Sequence, residues 1–169
     1  MKNARSILVS VCASAWLAAC ATTTADEVET TEIAPSDLPA SVVKVISAER
    51  PEFSVEEVLK KVRDGRVYYD VEGELSDGSE LEFDVLMNDA GAQIVEIQRD
   101  LDWGDVPADI KAIALEASDG AEPVRIIESL QTDGAVIYEL FAEGQPADPA
   151  WEVRLYGGQA ELLTERWMH

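Results

Sequence analysis

The chain has 169 residues, of which 34 are Asp or Glu and 13 are Lys or Arg, so its formal net charge at pH 7 is −21. Phosphate backbones repel a protein of this charge, which excludes nucleic acid as a partner. Anionic lipid headgroups are repelled too, whereas cations or a basic protein would be attracted. An alternative interpretation is that the acids only keep the solvated faces of the fold soluble.

Residues 1–19 have the layout of a secretory signal peptide. Lys2 and Arg5 precede a nearly uncharged apolar stretch, and the first acid is Asp26. This stretch is too short for a transmembrane helix, which needs roughly 20 apolar residues. We therefore expect cleavage, which removes both bases and leaves a mature charge of 11 − 34 = −23.

The stretch ends in Leu17-Ala18-Ala19-Cys20, which resembles the bacterial lipobox. In signals of that type, the cysteine receives the lipid and becomes the mature N-terminus. The resemblance implies a membrane anchor at Cys20 in the bacterial cell envelope. Ala21 follows the cysteine, and in the resembling signals such a residue suits the outer membrane, facing the periplasm. The alternative is an ordinary signal peptide with an incidental cysteine.

Residues 20–36 are rich in Thr, Ala and acids and contain few apolar residues, which predicts a disordered tether. Cys12 lies in the segment that is removed, and Cys20 is expected to be acylated. No thiol would then remain for a disulfide, a metal site or a nucleophile. A secreted domain of this kind must be held together by its hydrophobic core.

A short sequence occurs twice, as Asp37-Leu38-Pro39-Ala40 and as Asp105-Val106-Pro107-Ala108. Each copy opens an apolar pattern with three- and four-residue spacing, which predicts an amphipathic helix. Asp37 is predicted to cap the first helix. The mature chain is therefore divided into two repeats, residues 37–103 and 104–169.

After each helix the apolar spacing changes to two, which predicts antiparallel strands. Asp64-Gly65 and Asp133-Gly134 are two-residue hairpin signals. Within Val67–Glu72, the odd-numbered residues are predicted to face the core and the even-numbered residues the solvent. Residues 53–62 stay open between a strand and a second short helix.

The predicted fold class is therefore α+β, with two tandem helix-plus-antiparallel-sheet repeats. Val42 and Ile110 are predicted to be equivalent and buried, as are Phe83 and Val153. The two units could join edge to edge or stack through their free faces. Almost no linker separates them at Trp103-Gly104, which favours one compact tandem.

The first repeat resembles the PepSY-like domain. The resemblance lies in the order of the D-L-P-A helix, the Asp-Gly turns, a Tyr-x-Val strand, a Glu-Phe-Asp strand and an Asp-Ala-Gly turn. It is looser over Asp105–Trp167, where Gly157-Gly158 replaces the acidic turn. Relatives of this domain share the tandem helix-plus-sheet architecture of the secreted β-lactamase-inhibitor proteins. The resemblance implies a secreted or envelope-bound protein, without catalytic residues, that binds or inhibits other proteins.

Few residues suggest catalysis. The single histidine, His169, is the terminal residue and is expected to lie in solvent, so no Ser-His-Asp arrangement is available. Pairs of carboxylates as in glycosidases are expected by chance among so many acids. The segment from Asp84 to Gly91 lacks the ligand pattern of a calcium loop. We predict no enzymatic activity, no cofactor and no metal site, and a hydrolase is the least favoured alternative.

Three aromatic residues are the candidate binding residues: Tyr68, Trp103 and Phe141. They fall opposite the inferred cores or between the repeats, and aromatic side chains are frequent interface anchors. The alternative is that they pack between the repeats. The leading hypothesis is an envelope lipoprotein that binds a protein or peptide partner, expected to be basic. The alternative is an acidic structural or cation-binding envelope component.

Overall fold

The computed structural model describes residues 28–145 and 147–167. A 3-10 turn precedes each of the two described helices, which are α1 (Ala40–Glu49) and α2 (Ala108–Ala117). The described strands are β1 (Glu29–Glu32), β2 (Ser54–Arg63), β3 (Arg66–Glu74), β4 (Glu80–Asn88), β5 (Gly91–Asp100), β6 (Arg125–Gln131), β7 (Val136–Phe141), β8 (Trp151–Tyr156) and β9 (Gln159–Leu162).

The nine strands form one antiparallel sheet, in which the order in space is the order in sequence. The predicted α+β class is therefore wrong. Strands account for 47% of the described residues and helices for only 19%, and the strands of both predicted repeats belong to a single sheet. The physical reason lies at β5 and β6, which pair with each other. Their pairing satisfies backbone groups that two separate sheets would leave at exposed edges.

Both helices lie on the same face of this sheet. Ile97 of β5 packs in the core cluster beneath α1, and its partner in the register of β6 is Leu130. Alternation places Leu130 on the same face of β6 as Ile126, which belongs to the core cluster beneath α2. The first cluster joins the α1 residues to β2, β3 and β4, and the second joins the α2 residues to β6, β7 and β8. The four residues predicted to be buried, Val42, Phe83, Ile110 and Val153, are all fully buried.

Each helix begins after a proline rather than after a side-chain cap. Pro39 and Pro107 occupy the N-cap positions, and no side-chain hydrogen bond caps either helix. The predicted capping role of Asp37 is wrong, because Asp37 ends the preceding 3-10 turn. Helix α1 ends at Glu49, two residues before Pro51, which disfavours helical geometry at Arg50.

Residues 53–62, left open between strand and helix, belong mostly to strand β2. This strand has a partner on each side, since Leu59 lies opposite Glu32 of β1 and Asp70 of β3. The two ladders outweigh the helix-forming residues within the segment, because strand preference depends on cross-strand packing more than on intrinsic propensity.

The described part of the predicted tether, residues 28–36, contains strand β1 and the start of the first 3-10 turn. Glu29 lies opposite Val62, and the Ile33 N–H donates to the Val58 carbonyl at 3.0 Å. The predicted signal peptide and Cys20 lie outside the described residues. No helix in the described part of the chain is long and apolar enough to span a membrane.

The Asp64-Gly65 hairpin is confirmed. Arg63 lies opposite Arg66, so the loop has two residues. Asp64 and Gly65 have φ angles of 52° and 74°, both in the left-handed region that a type I′ turn requires. A tight turn of this type fixes the register of β2 against β3.

Candidate binding face

The face of the sheet opposite the two helices is termed the polar face. In β3, Tyr69 and Val71 pack beneath α1, so alternation places Tyr68, Asp70 and Glu72 on the polar face. Directly opposed residues share a face, and the register assigns the other strands. The polar face includes Lys61, Tyr68, Asp70, Glu72, Glu82, Asp84, Glu96, Gln98, Asp100, Arg125, Ser129, Gln131, Ile137, Glu139, Phe141, Glu152 and Arg154.

Three carboxylates oppose one another across β3, β4 and β5. Asp70 lies opposite Asp84, and Asp84 lies opposite Glu96. Asp70 and Glu96 expose only 3% and 2% of their surface. Like charges at directly opposed positions destabilise a sheet, and burial makes the repulsion stronger. The acid row, defined as Asp70, Asp84 and Glu96, therefore favours any cation that reaches it.

Lys61 of β2 forms an ion pair with Asp70 Oδ2. Burial disfavours the Lys61 ammonium, but the hydrogen bond and charge of Asp70, with the charges of Glu82 and Asp84, outweigh it and raise the pKa of Lys61. The Oδ1 atoms of Asp70 and Asp84 are buried and have no hydrogen-bond donor. A buried charged oxygen without a donor is costly, so the acid row carries charge that its surroundings only partly compensate.

A second acidic pair, Glu72 and Glu82, lies two residues away from Asp70 and Asp84 on the same two strands. Burial, followed by the charge of Asp70, raises the pKa of Glu82 from 4.5 to about 7. Burial and the same Asp70 charge raise the pKa of Asp84 from 3.8 to about 7. Burial and the charge of Glu57 raise the pKa of Glu72. Near neutral pH Glu82 and Asp84 are therefore partly protonated, and an incoming cation would displace these protons.

A cavity of about 230 Å³ adjoins this second pair. Five acidic residues, two arginines and four uncharged residues line it. The acids are Glu56, Glu72, Glu80, Glu82 and Asp100; the arginines are Arg99 and Arg125; the uncharged residues are Gly73, Leu81, Gln98 and Ile127. Arg125 is held by Asp100 at 2.9 Å, and Arg99 by Glu128 at 2.6 Å. At Gly73 a Cβ atom would collide with the Ser54 carbonyl oxygen, so only glycine fits beside the cavity.

A buried polar network joins the two halves of the sheet at β5 and β6. The Gln131 side-chain amide donates to Glu96 Oε1 and to Ser129 Oγ, both at 2.7 Å. Ser129 is fully buried, and Gln131 exposes 9% of its surface. A hydrogen bond from the second half of the chain therefore fixes Glu96, which is the last residue of the acid row in the first half.

Of the three predicted binding residues, Tyr68 and Phe141 lie on the polar face but are buried. They expose 6% and 4% of their surfaces, and the guanidinium groups of Arg63 and Arg125 lie over their rings at 5.2 and 5.5 Å from the centroids. Both rings therefore lie beneath arginine side chains on the polar face and are covered by them. The proposed contact role depended on exposure, and neither residue meets that condition.

Trp103 lies in the 3-10 turn before α2 and packs, half-buried, against the second core cluster. The Lys111 ammonium lies 5.5 Å from the centroid of its ring. Trp103 therefore belongs to the helix side of the sheet, and the structure does not bring the three aromatic residues together.

The acid row and the cavity were not singled out from the sequence. A signal for them exists in the Asp77-Gly78 turn, because a hairpin centred there sets Asp70 opposite Asp84 and Glu72 opposite Glu82. Two such like-charged pairs on one face are unusual for a solvated strand pair. Their burial, however, depends on the neighbouring strands and cannot be read from the hairpin.

Within the described residues, no group of three His, Cys, Asp or Glu is arranged to hold a metal ion. His169 lies outside the described residues. No protein-family model matches the chain, and no curated protein matches it.

Proposed function

We propose that this protein is a non-catalytic, lipid-anchored protein of the bacterial cell envelope that binds a basic segment of a partner protein on its polar face. The observation that carries the proposal is the set of cross-strand acid pairs on β3 and β4, in which Glu72 is exposed and Glu82 and Asp84 are half-buried, so that a partner can reach them. The resemblance of the first repeat to domains that bind other proteins agrees with it.

The electrostatics favour a cationic occupant. Glu82 and Asp84 have pKa values raised to about 7 by burial and by the charge of Asp70, so part of their carboxylate charge is suppressed. A lysine or arginine side chain that replaces the bound protons relieves this repulsion. The mature charge of 11 − 34 = −23 also speeds the approach of a basic partner at low ionic strength.

We test the binding surface with a fluorescein-labelled peptide of alternating arginine and serine residues. The double variant Glu82→Gln/Asp84→Asn is expected to bind it at least tenfold more weakly than the wild type, a loss of about 1.4 kcal/mol. Fluorescence anisotropy at constant salt measures the Kd. Because the substitutions remove like-charge repulsion, the variant is expected to fold.

Asp109→Asn/Glu116→Gln is the matched control, since it changes the charge equally on exposed positions of α2. Its Kd is expected to stay within about twofold of the wild-type value. Equal losses in the two variants would mean that the net charge alone attracts the peptide. That result would favour an acidic structural or cation-binding component over a binding face.

The lipid anchor is tested separately. Cys20→Ser is expected to abolish labelling by a palmitate analogue. Each buried CH₂ contributes about 0.8 kcal/mol, so several acyl chains make spontaneous release negligible.

Cys12→Ser is the control and is expected to keep both the label and the membrane location, because Cys12 lies in the removed segment. An unlabelled wild-type protein in the soluble periplasmic fraction would overturn the anchor.

A further inference from the structure

The chain's own C-terminal segment, residues 163–167, returns to the polar face after β9. The Leu163 N–H donates to the Glu152 carbonyl at 2.8 Å, and the Trp167 N–H donates to Glu152 Oε2 at 2.6 Å. Glu152 exposes only 7% of its surface. The segment is therefore held on β8 by backbone donors at both of its ends.

Within this segment, Arg166 brings a positive charge to a like-charged pair. Glu152 lies opposite Glu139 in the register, and an Arg166 guanidinium nitrogen lies 3.7 Å from Glu152 Oε1. A second guanidinium nitrogen lies 3.7 Å from Asp148. The next residue, Trp167, lies with its ring centroid 5.9 Å from the Arg154 guanidinium. An arginine followed by an aromatic residue thus occupies the polar face of the second half.

The first half presents the same type of cross-strand acid pairs. Asp70 lies opposite Asp84 and Glu72 opposite Glu82, on the second and third strands after α1, as Glu139 and Glu152 are after α2. Asp70 exposes 3% of its surface, and its Oδ1 has no donor; the same is true of Asp84 Oδ1. These oxygens lack a donor such as the Trp167 N–H, which donates to Glu152 Oε2, while the Arg166 guanidinium places a positive charge beside Glu152.

We propose that the polar face of the first half binds a partner segment in which an arginine adjoins an aromatic residue, as Arg166 and Trp167 do on the second half. This inference rests on the proposed function and specifies the chemistry of the partner. A guanidinium offers paired donors that match two carboxylate oxygens, which an ammonium does not. The aromatic ring beside it covers the ion pairs and keeps water from them.

The test is isothermal titration calorimetry with three six-residue peptides of equal charge. The first contains two arginine–tryptophan pairs, the second replaces both tryptophans by alanine, and the third replaces both arginines by lysine. The arginine–tryptophan peptide is expected to bind at least tenfold more tightly than either of the others, with one site per chain. Glu82→Gln/Asp84→Asn is expected to weaken it at least tenfold.

A second variant tests the equivalence of the two halves. Arg166→Ala/Trp167→Ala removes the segment's own cation and ring while leaving the first half unchanged. The second acid pair then lacks its cation, and the stoichiometry is expected to rise from one peptide to two. A stoichiometry that stays at one would overturn the inferred equivalence.

The results separate this inference from the proposed function. If the arginine–alanine peptide binds as tightly as the arginine–tryptophan peptide, and both lose affinity in Glu82→Gln/Asp84→Asn, the inference fails while the binding face stands. If none of the peptides binds the wild-type protein, both fail.

Discussion

Replacing Phe83 by alanine is expected to lower the free energy of unfolding by about 3–5 kcal/mol. The Phe83 side chain is fully buried between β4 and α1, and its ring meets that of Phe53 edge to face with the centroids 4.9 Å apart. The substitution removes this contact and leaves a cavity that the sheet cannot close without distorting its register. Urea unfolding followed by circular dichroism measures the loss.

Tyr156→Ala is the control for Phe83→Ala. Tyr156 is an aromatic strand residue of β8 that exposes 48% of its surface, and its described contact is the Arg154 guanidinium at 4.7 Å from the ring centroid. Its loss is expected to cost less than about 1 kcal/mol. If Phe83→Ala costs no more than Tyr156→Ala, Phe83 does not lie at the centre of the first core cluster.

The free energy of unfolding of the wild-type protein is expected to fall by about 3 kcal/mol or more between pH 5 and pH 8. The pKa of Glu82 and that of Asp84 are both raised to about 7 in the folded protein, from 4.5 and 3.8. A carboxyl group whose folded-state pKa is raised binds its proton more tightly in the folded state. It therefore stabilises the fold below its usual pKa, and this stability is lost as the pH rises through 7.

The groups that face Asp84 set the size of this effect. Burial is the largest cause that raises the pKa of Asp84. The charges of Asp70 on β3, Glu96 on β5 and Glu82 on β4 raise it further, whereas the charge of Lys61 on β2 lowers it. Glu82→Gln/Asp84→Asn removes both titrating groups and is expected to lose most of the pH dependence. Part of the remainder comes from Glu139, whose pKa is raised to about 7 by burial and then by the charge of Glu96.

Urea unfolding at several pH values gives the slope for each protein. Asp109→Asn/Glu116→Gln is expected to keep the wild-type slope, because these two acids lie exposed on α2. A double variant of Glu82 and Asp84 with the full wild-type slope would show that the buried acids titrate at their ordinary pKa values.

Much of the local structure could be predicted from the sequence. The alternation in Val67–Glu72 correctly predicted which side of β3 packs in the core, with Tyr69 and Val71 buried there. The Asp64-Gly65 dipeptide correctly predicted the hairpin that joins β2 to β3. These features depend on neighbours in sequence, and period-two spacing and turn chemistry describe such neighbours directly. The burial of Phe83 followed from the same spacing.

The fold class could not be predicted in this way. It depends on the pairing of β5 with β6, which are separated by the second helix and its turns, so no local pattern records it. Strand β1 was missed for a related reason. Its residues, Glu29–Glu32, are polar and exposed, and β2 supplies the backbone partners that make them a strand.

The candidate site was only partly predictable. The side of β3 that carries Tyr68, Asp70 and Glu72 was predicted to be wet, but Tyr68 and Asp70 are buried. Their burial arises from side chains on neighbouring strands, such as Lys61 and Arg63, which only the assembled sheet brings close. For the same reason, the acid row depends on the joint register of three strands.

The most direct test of the polar face is a carboxyl ¹³C NMR titration of the Cys20→Ser protein with the arginine–serine peptide. We predict that the Asp84 and Glu82 signals move most and that their pKa values fall from about 7 as the peptide binds. The Asp109 and Glu116 signals on α2 should change little. If those helix carboxyls move as much as Asp84 and Glu82, or if the pKa values of Asp84 and Glu82 stay near 7 in the complex, the polar face is not the binding surface.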